Sequence, residues 1–98
     1  MELEGNEEHV YIGDKNIKVY IPACLFAFGK SDKVVISSRG SNIKKAIDVA
    51  AIIMREHLIN PDYDVIIESH GFEERNVSSL DIIISGELKN GESESIQE

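Results

Sequence analysis

The segment from Ile43 to Leu58 constrains this chain more than any other. Ile43, Ala46, Ile47, Ala50, Met54 and Leu58 recur at helical spacing and line one face. Val49, Ile52 and Ile53 fall outside that face. At about 100° per residue, the apolar arc covers well over half of the circumference, so the helix must bury two sides. A chain of 98 residues, 42% of them hydrophobic, holds one modest core. A domain of this size gains from burial against a second subunit. Val49, Ile52 and Ile53 are therefore expected at a dimer interface.

The remaining elements follow from local pattern. His9-Val10-Tyr11-Ile12 is a short β-prone run closed by the turn pair Gly13-Asp14. Asn16 then caps a helix whose stripe is Ile17, Tyr20, Ile21, Cys24, Leu25 and Phe28, ended by Gly29. Pro22 lies inside it and predicts a kink, or a late start near Ile21. Lys33 to Ser38, with Val34-Val35-Ile36, reads as a buried strand. Arg39-Gly40-Ser41-Asn42 is a turn with two capping candidates, and the long helix follows. Asn60-Pro61-Asp62 breaks that helix. Asp64 to His70 and Val77 to Ser85 read as strands joined by a hairpin loop, Gly71 to Asn76. The order β-α-β-α-β-β predicts an α/β (α+β two-layer) sandwich, with both helices on one face of a mixed four-stranded sheet. The domain is expected over residues 8–86. Residues 1–7 and 87–98 read as acidic tails, too poor in apolar residues to order themselves.

Charge is distributed unevenly. The formal net charge is −8, but residues 10–45 carry seven Lys/Arg against two Asp. Residues 46–86 carry two Arg against eight acids. A locally basic segment in an acidic chain is a sign of an anionic partner. No run approaches the roughly 20 apolar residues of a membrane span, and no signal sequence is visible. The single cysteine, Cys24, excludes an internal disulfide and a thiolate zinc framework, which points to a reducing cytoplasm. It lies on the buried stripe of the first helix as a small core residue.

Catalytic chemistry is not in evidence. His9, His57 and His70 lack ligand spacing and read as surface or edge histidines. Arg39-Gly40-Ser41 lacks the second glycine and the Lys-Ser/Thr ending of a P-loop. No metal or cofactor is expected. The basic turns remain. Lys15 and Lys18 open the first helix, while Arg39, Ser41, Asn42, Lys44 and Lys45 surround the start of the second. Both helix starts follow strands, so both should open at the same end of the sheet. Free N–H groups and a partial positive charge there, with added Lys and Arg, make a phosphate site. Such contacts position a nucleic-acid backbone without reading bases. Ordinary capping by Asn16 and Ser41, with solvated lysines, is the alternative.

Residues Val34 to Ile53, VVISSRGSNIKKAIDVAAII, resemble the Alba family of archaeal chromatin and RNA-binding proteins. The Arg-Gly turn and Lys45-Ala46-Ile47-Asp48 follow the family's order, as do Ile12-Gly13-Asp14-Lys15 upstream and the two final strands. The resemblance implies a homodimer that binds duplex DNA and RNA with little sequence preference. It implies phosphate contacts by Lys15 and by the Arg39-Gly40 turn, and a terminal hairpin, here with Arg75, reaching along a groove. The family's second helix helps form the dimer.

Four departures from the family stand out, the broadest being a net charge of −8 where the family is typically basic. Asp14 occupies the place of the first of two usual lysines, Ser41 stands where another basic residue is common, and Glu73-Glu74 sit in the hairpin loop. On the Arg-Gly turn, the basic segment and the family pattern, the chain is read as a non-enzymatic nucleic-acid-binding protein, cytoplasmic or associated with chromatin or the nucleoid. The second reading is a protein-interaction module that pairs with a basic relative as a heterodimer, or that scaffolds a ribonucleoprotein.

Overall fold

The computed structural model describes residues 7–72 and 75–89. Six elements follow in the order β1 (Glu8–Tyr11), α1 (Ile17–Lys30), β2 (Lys33–Arg39), α2 (Ile43–Glu56), β3 (Leu58–Phe72) and β4 (Arg75–Leu88). The sheet has four strands in the order β1-β2-β4-β3. β1 and β2 are parallel, and the other two pairings are antiparallel. The helices cover one face, and Val10, Ile12, Cys24, Phe28, Val34, Ile36, Ala46, Ile53, Ile82 and Ile84 meet between the layers. This is the predicted mixed sandwich.

α1 starts at Ile17 because Asn16 caps it: its side chain accepts from the Lys18 N–H at 2.9 Å. The helix continues through Pro22, with neither the late start nor a break at that residue. Pro22 lies on the exposed side in the second turn, so the helix forgoes the bond to the Lys18 carbonyl, which solvent can satisfy there. Gly29 does not end the helix, which closes one residue later with the Ser31 N–H on the Ala27 carbonyl.

α2 corrects the first expectation about its faces. Ala46, Val49, Ala50 and Ile53 are its buried residues. Val49 and Ile53 are fully buried in this chain's own core, so they are not available to a second subunit. Ile52 is half-buried, and Ile47 is 49% exposed. The stripe that packs on the sheet is thus rotated from the one first read. A helix over a sheet centres its buried arc on the smallest close-packing residues, here Ala46 and Ala50 flanked by Val49 and Ile53. Ile43, Ile47, Ala51 and Met54 lie to one side of that arc. With the usual right-handed β1-α1-β2 crossover, that side looks toward β3.

α2 stops at Glu56 and not at Leu58, which is already the first residue of β3. Asn60-Pro61 lies inside the strand as an irregularity, with Asn60 at φ 50° and the register shifted between Ile59 and Asp62. A bulge accommodates a proline that cannot donate to a ladder. β3 and β4 are both longer than their predicted cores. β4 continues to Leu88, which pairs with Leu58 and packs on the core, so the fold extends past residue 86. Glu73 and Glu74, and the terminal segments 1–6 and 90–98, lie outside the described residues.

Candidate nucleic-acid interface

The loop after β1 and the turn after β2 meet at one end of the sheet, as the parallel pairing of the two strands requires. The Gly13–Lys15 loop is held from two sides. The Tyr20 hydroxyl accepts from the Gly13 N–H at 2.9 Å and the Lys15 N–H at 3.2 Å. Lys45 Nζ donates to the Gly13 carbonyl at 3.0 Å and the Lys15 carbonyl at 2.6 Å. The same ammonium lies 5.9 Å from the Tyr20 ring centroid. Gly13 permits this approach, since a Cβ there would stand 3.3 Å from the Tyr20 oxygen.

The second turn is built by Gly40, whose φ of 58° favours glycine. Gly40–Asn42 form one 3-10 turn that leads directly into α2. Neither Ser41 nor Asn42 caps α2 through its side chain. Asn42 instead donates to Asp14 Oδ1 at 3.3 Å and stitches the two loops together. Asp14 therefore has a structural partner.

The basic residues divide into two groups. Lys45 is committed to loop carbonyls, and Lys44 forms an i,i+4 ion pair with Asp48 at 3.0 Å. Lys15, Lys18 and Arg39 are exposed and, among the described residues, have no ion pair. Their charges are free to meet a ligand. Arg75 stands apart from this cluster, at the start of β4 opposite Phe72. Arg39 pairs with Ser79, so the hairpin runs on past the loop cluster by four residues, roughly 13 Å of strand, to Arg75. The loops and the arm thus share one end of the molecule.

Sequence reading missed Tyr20 and Asp14 as organisers of the site. The signal for Tyr20 was its hydroxyl: a buried tyrosine needs a partner, and the adjacent tight turn offers N–H groups. Among the described residues, no three His, Cys, Asp or Glu side chains converge as a metal site.

The family model for Alba matches residues 8–61. The "DNA/RNA-binding protein Alba" of Picrophilus torridus is 29% identical over 88 residues, covering 83% of this chain and 98% of that protein. The "DNA/RNA-binding protein Alba 1" of Archaeoglobus fulgidus is 32% identical over 85 residues, covering 81% and 96%. Among solved structures, Alba from Thermoplasma volcanium superposes with a TM-score of 0.66 at 30% identity, over 80% of this chain and 99% of that one. ALBA1 from Trypanosoma brucei gives 0.73 at 13% identity, over 92% and 79%, and attests the fold alone. By its sequence match and its architecture, this chain belongs to the Alba family.

Proposed function

We propose that this chain binds nucleic acid through the two loops and the hairpin arm at one end of its sheet. The observation that carries the reading is the convergence of Lys15, Lys18 and Arg39, exposed and unpaired among the described residues, on a scaffold fixed by Tyr20, Lys45 and the Asp14–Asn42 bond. Relatives that bear the name of DNA/RNA-binding proteins support it. Cations on a rigid loop neutralise phosphates without base readout, so sequence preference should be weak. Gly40, Ser41 and Asn42 shape the turn that presents Arg39. Lys44 and Lys45 add background potential, and Arg75 extends the contact along the duplex.

The working unit is a dimer formed through α2 and β3. Tyr63, Val65 and Ile67 pair with Ile84, Ile82 and Leu80, so they share the helix-covered side of the sheet. They are nevertheless 59%, 44% and 73% exposed, beside the exposed Ile47 of α2. This apolar face replaces Val49 and Ile53 as the surface for a second subunit, a like copy or a basic relative. Pairing with a basic relative is also the core of the second reading, which the formal charge of −8 favours.

The test is titration of labelled duplex DNA and of a structured RNA across a salt series. Each phosphate neutralised on duplex DNA should contribute about −0.9 to the log–log slope. Several phosphates support direct binding. Absence of binding at low salt would assign the fold to partner recognition instead.

A further inference from the structure

The face of the sheet that the helices leave open carries a second arrangement. His9 and Tyr11 alternate with the buried Val10 and Ile12, so both point to that open face. Their rings lie nearly parallel, with centroids 6.0 Å apart and an interplanar angle of 14°. Tyr11 is 70% exposed. β1 pairs His9 with Val35 and Tyr11 with Ser37, and β2 ends at Arg39 on the same face. Val35, the partner of His9, is only 5% exposed yet lies outside the core between helices and sheet. A shallow cavity of about 390 Å³ is lined by His9, Tyr11, Ser37, Arg39, Ser79 and Asp81.

A solvent-exposed pair of parallel rings beside a guanidinium with no ion pair among the described residues suits a flat, anionic ligand. Duplex bases are already stacked and paired, whereas unpaired bases are free to stack on aromatic side chains. We propose that this face is a stacking platform for single-stranded RNA, distinct from the duplex contacts of the loops. A base stacks on Tyr11, extended by His9. The adjoining phosphate meets Arg39, two residues or roughly 7 Å further along β2 than the partner of Tyr11. Ser37, Ser79 and Asp81 offer acceptors for the ribose 2′-hydroxyl. Asp81, Asp64 and Glu68 occupy the β4–β3 half of this face and oppose a phosphate backbone there. The strand must therefore follow β1 and β2 toward the loop cluster. The proposal rests on the nucleic-acid reading only through Arg39, which both sites share.

The experiment compares wild type, Tyr11→Ala and Tyr11→Phe by fluorescence anisotropy. The probes are a short unstructured RNA strand, the DNA strand of the same sequence and a DNA duplex. Tyr11→Ala should weaken RNA-strand binding about 5- to 150-fold, the contribution of one stacked base, and Tyr11→Phe should restore it. Duplex affinity should change less than about twofold, since stacking is unavailable there. The RNA strand should bind wild type more tightly than the DNA strand. Thermal unfolding should be unaltered in Tyr11→Ala, because the side chain is exposed. Unchanged RNA-strand affinity in Tyr11→Ala overturns the platform while leaving loop binding to duplex intact. An equal loss on the duplex, or equal wild-type affinity for the DNA strand, also overturns it. Wild type binding no probe overturns both the platform and the loop interface.

Discussion

Single residues set the shape of the interface more than they set its charge. Tyr20 fixes the first loop with one hydroxyl shared by two N–H groups. Tyr20→Phe removes both bonds without altering charge or apolar burial. It should lower stability by about 1–3 kcal/mol, read by urea unfolding, and weaken duplex binding at constant salt slope. Gly40 sets the second turn. Gly40→Ala meets no neighbouring atom but must hold a left-handed φ of 58°, at a cost of about 1–3 kcal/mol. Cys24 tests the core. Burial pushes its thiol from the ordinary 9.0 up to about 12. The unfolded chain then loses its thiol proton first as pH rises. Stability contributed by the protonated buried thiol is present below pH 9 and falls as pH climbs from 9 toward 12. Urea titrations across that range, compared with Cys24→Ala, should show a decline that the variant lacks.

Elements show what the sequence made legible and what it did not. β2 and the start of α2 were readable because Val34-Val35-Ile36 and the Arg39-Gly40 turn are strong local signals. Element order was readable for the same reason. The core-facing side of α2 was not, because an arc wider than half a circle has no unique centre. Tertiary packing chose Ala46 and Ala50, the small residues that let the helix approach the sheet. The length of β3 was hidden too, since Asn60-Pro61 reads as a breaker and acts here as a bulge. The ammonium of Lys45 looked like a free phosphate ligand because nothing local announces its bonds to the loop 30 residues away. Lys45→Gln should therefore behave unlike Lys15→Gln: it should destabilise the fold as well as weaken binding. Thermal unfolding of both variants checks this. At the same scale, Ile47→Glu with Ile67→Glu should convert a dimer into a monomer in sedimentation velocity. A monomer already in wild type would count against the α2–β3 face.

At the scale of the whole molecule, position outweighs net charge. The chain is acidic overall, yet Lys15, Lys18 and Arg39, exposed and without an ion pair among the described residues, gather at the end where β1, β2 and the hairpin arm all emerge, while Lys30 and Lys89 lie toward the opposite end. Acidic residues on β3 and β4 flank this end, so binding should be weaker, with a shallower salt dependence, than a uniformly basic surface that neutralises more phosphates would give. The central claim is that Lys15 and Arg39 each neutralise a phosphate from a preformed scaffold. Its most direct test is the salt dependence of duplex binding for wild type and for Lys15→Ala/Arg39→Ala. Loss of two phosphate contacts should make the log–log slope shallower by about 1.8 units per bound protomer, with lower affinity at every salt concentration. An unchanged slope and affinity in the double variant would contradict the assignment of the loops as the nucleic-acid interface.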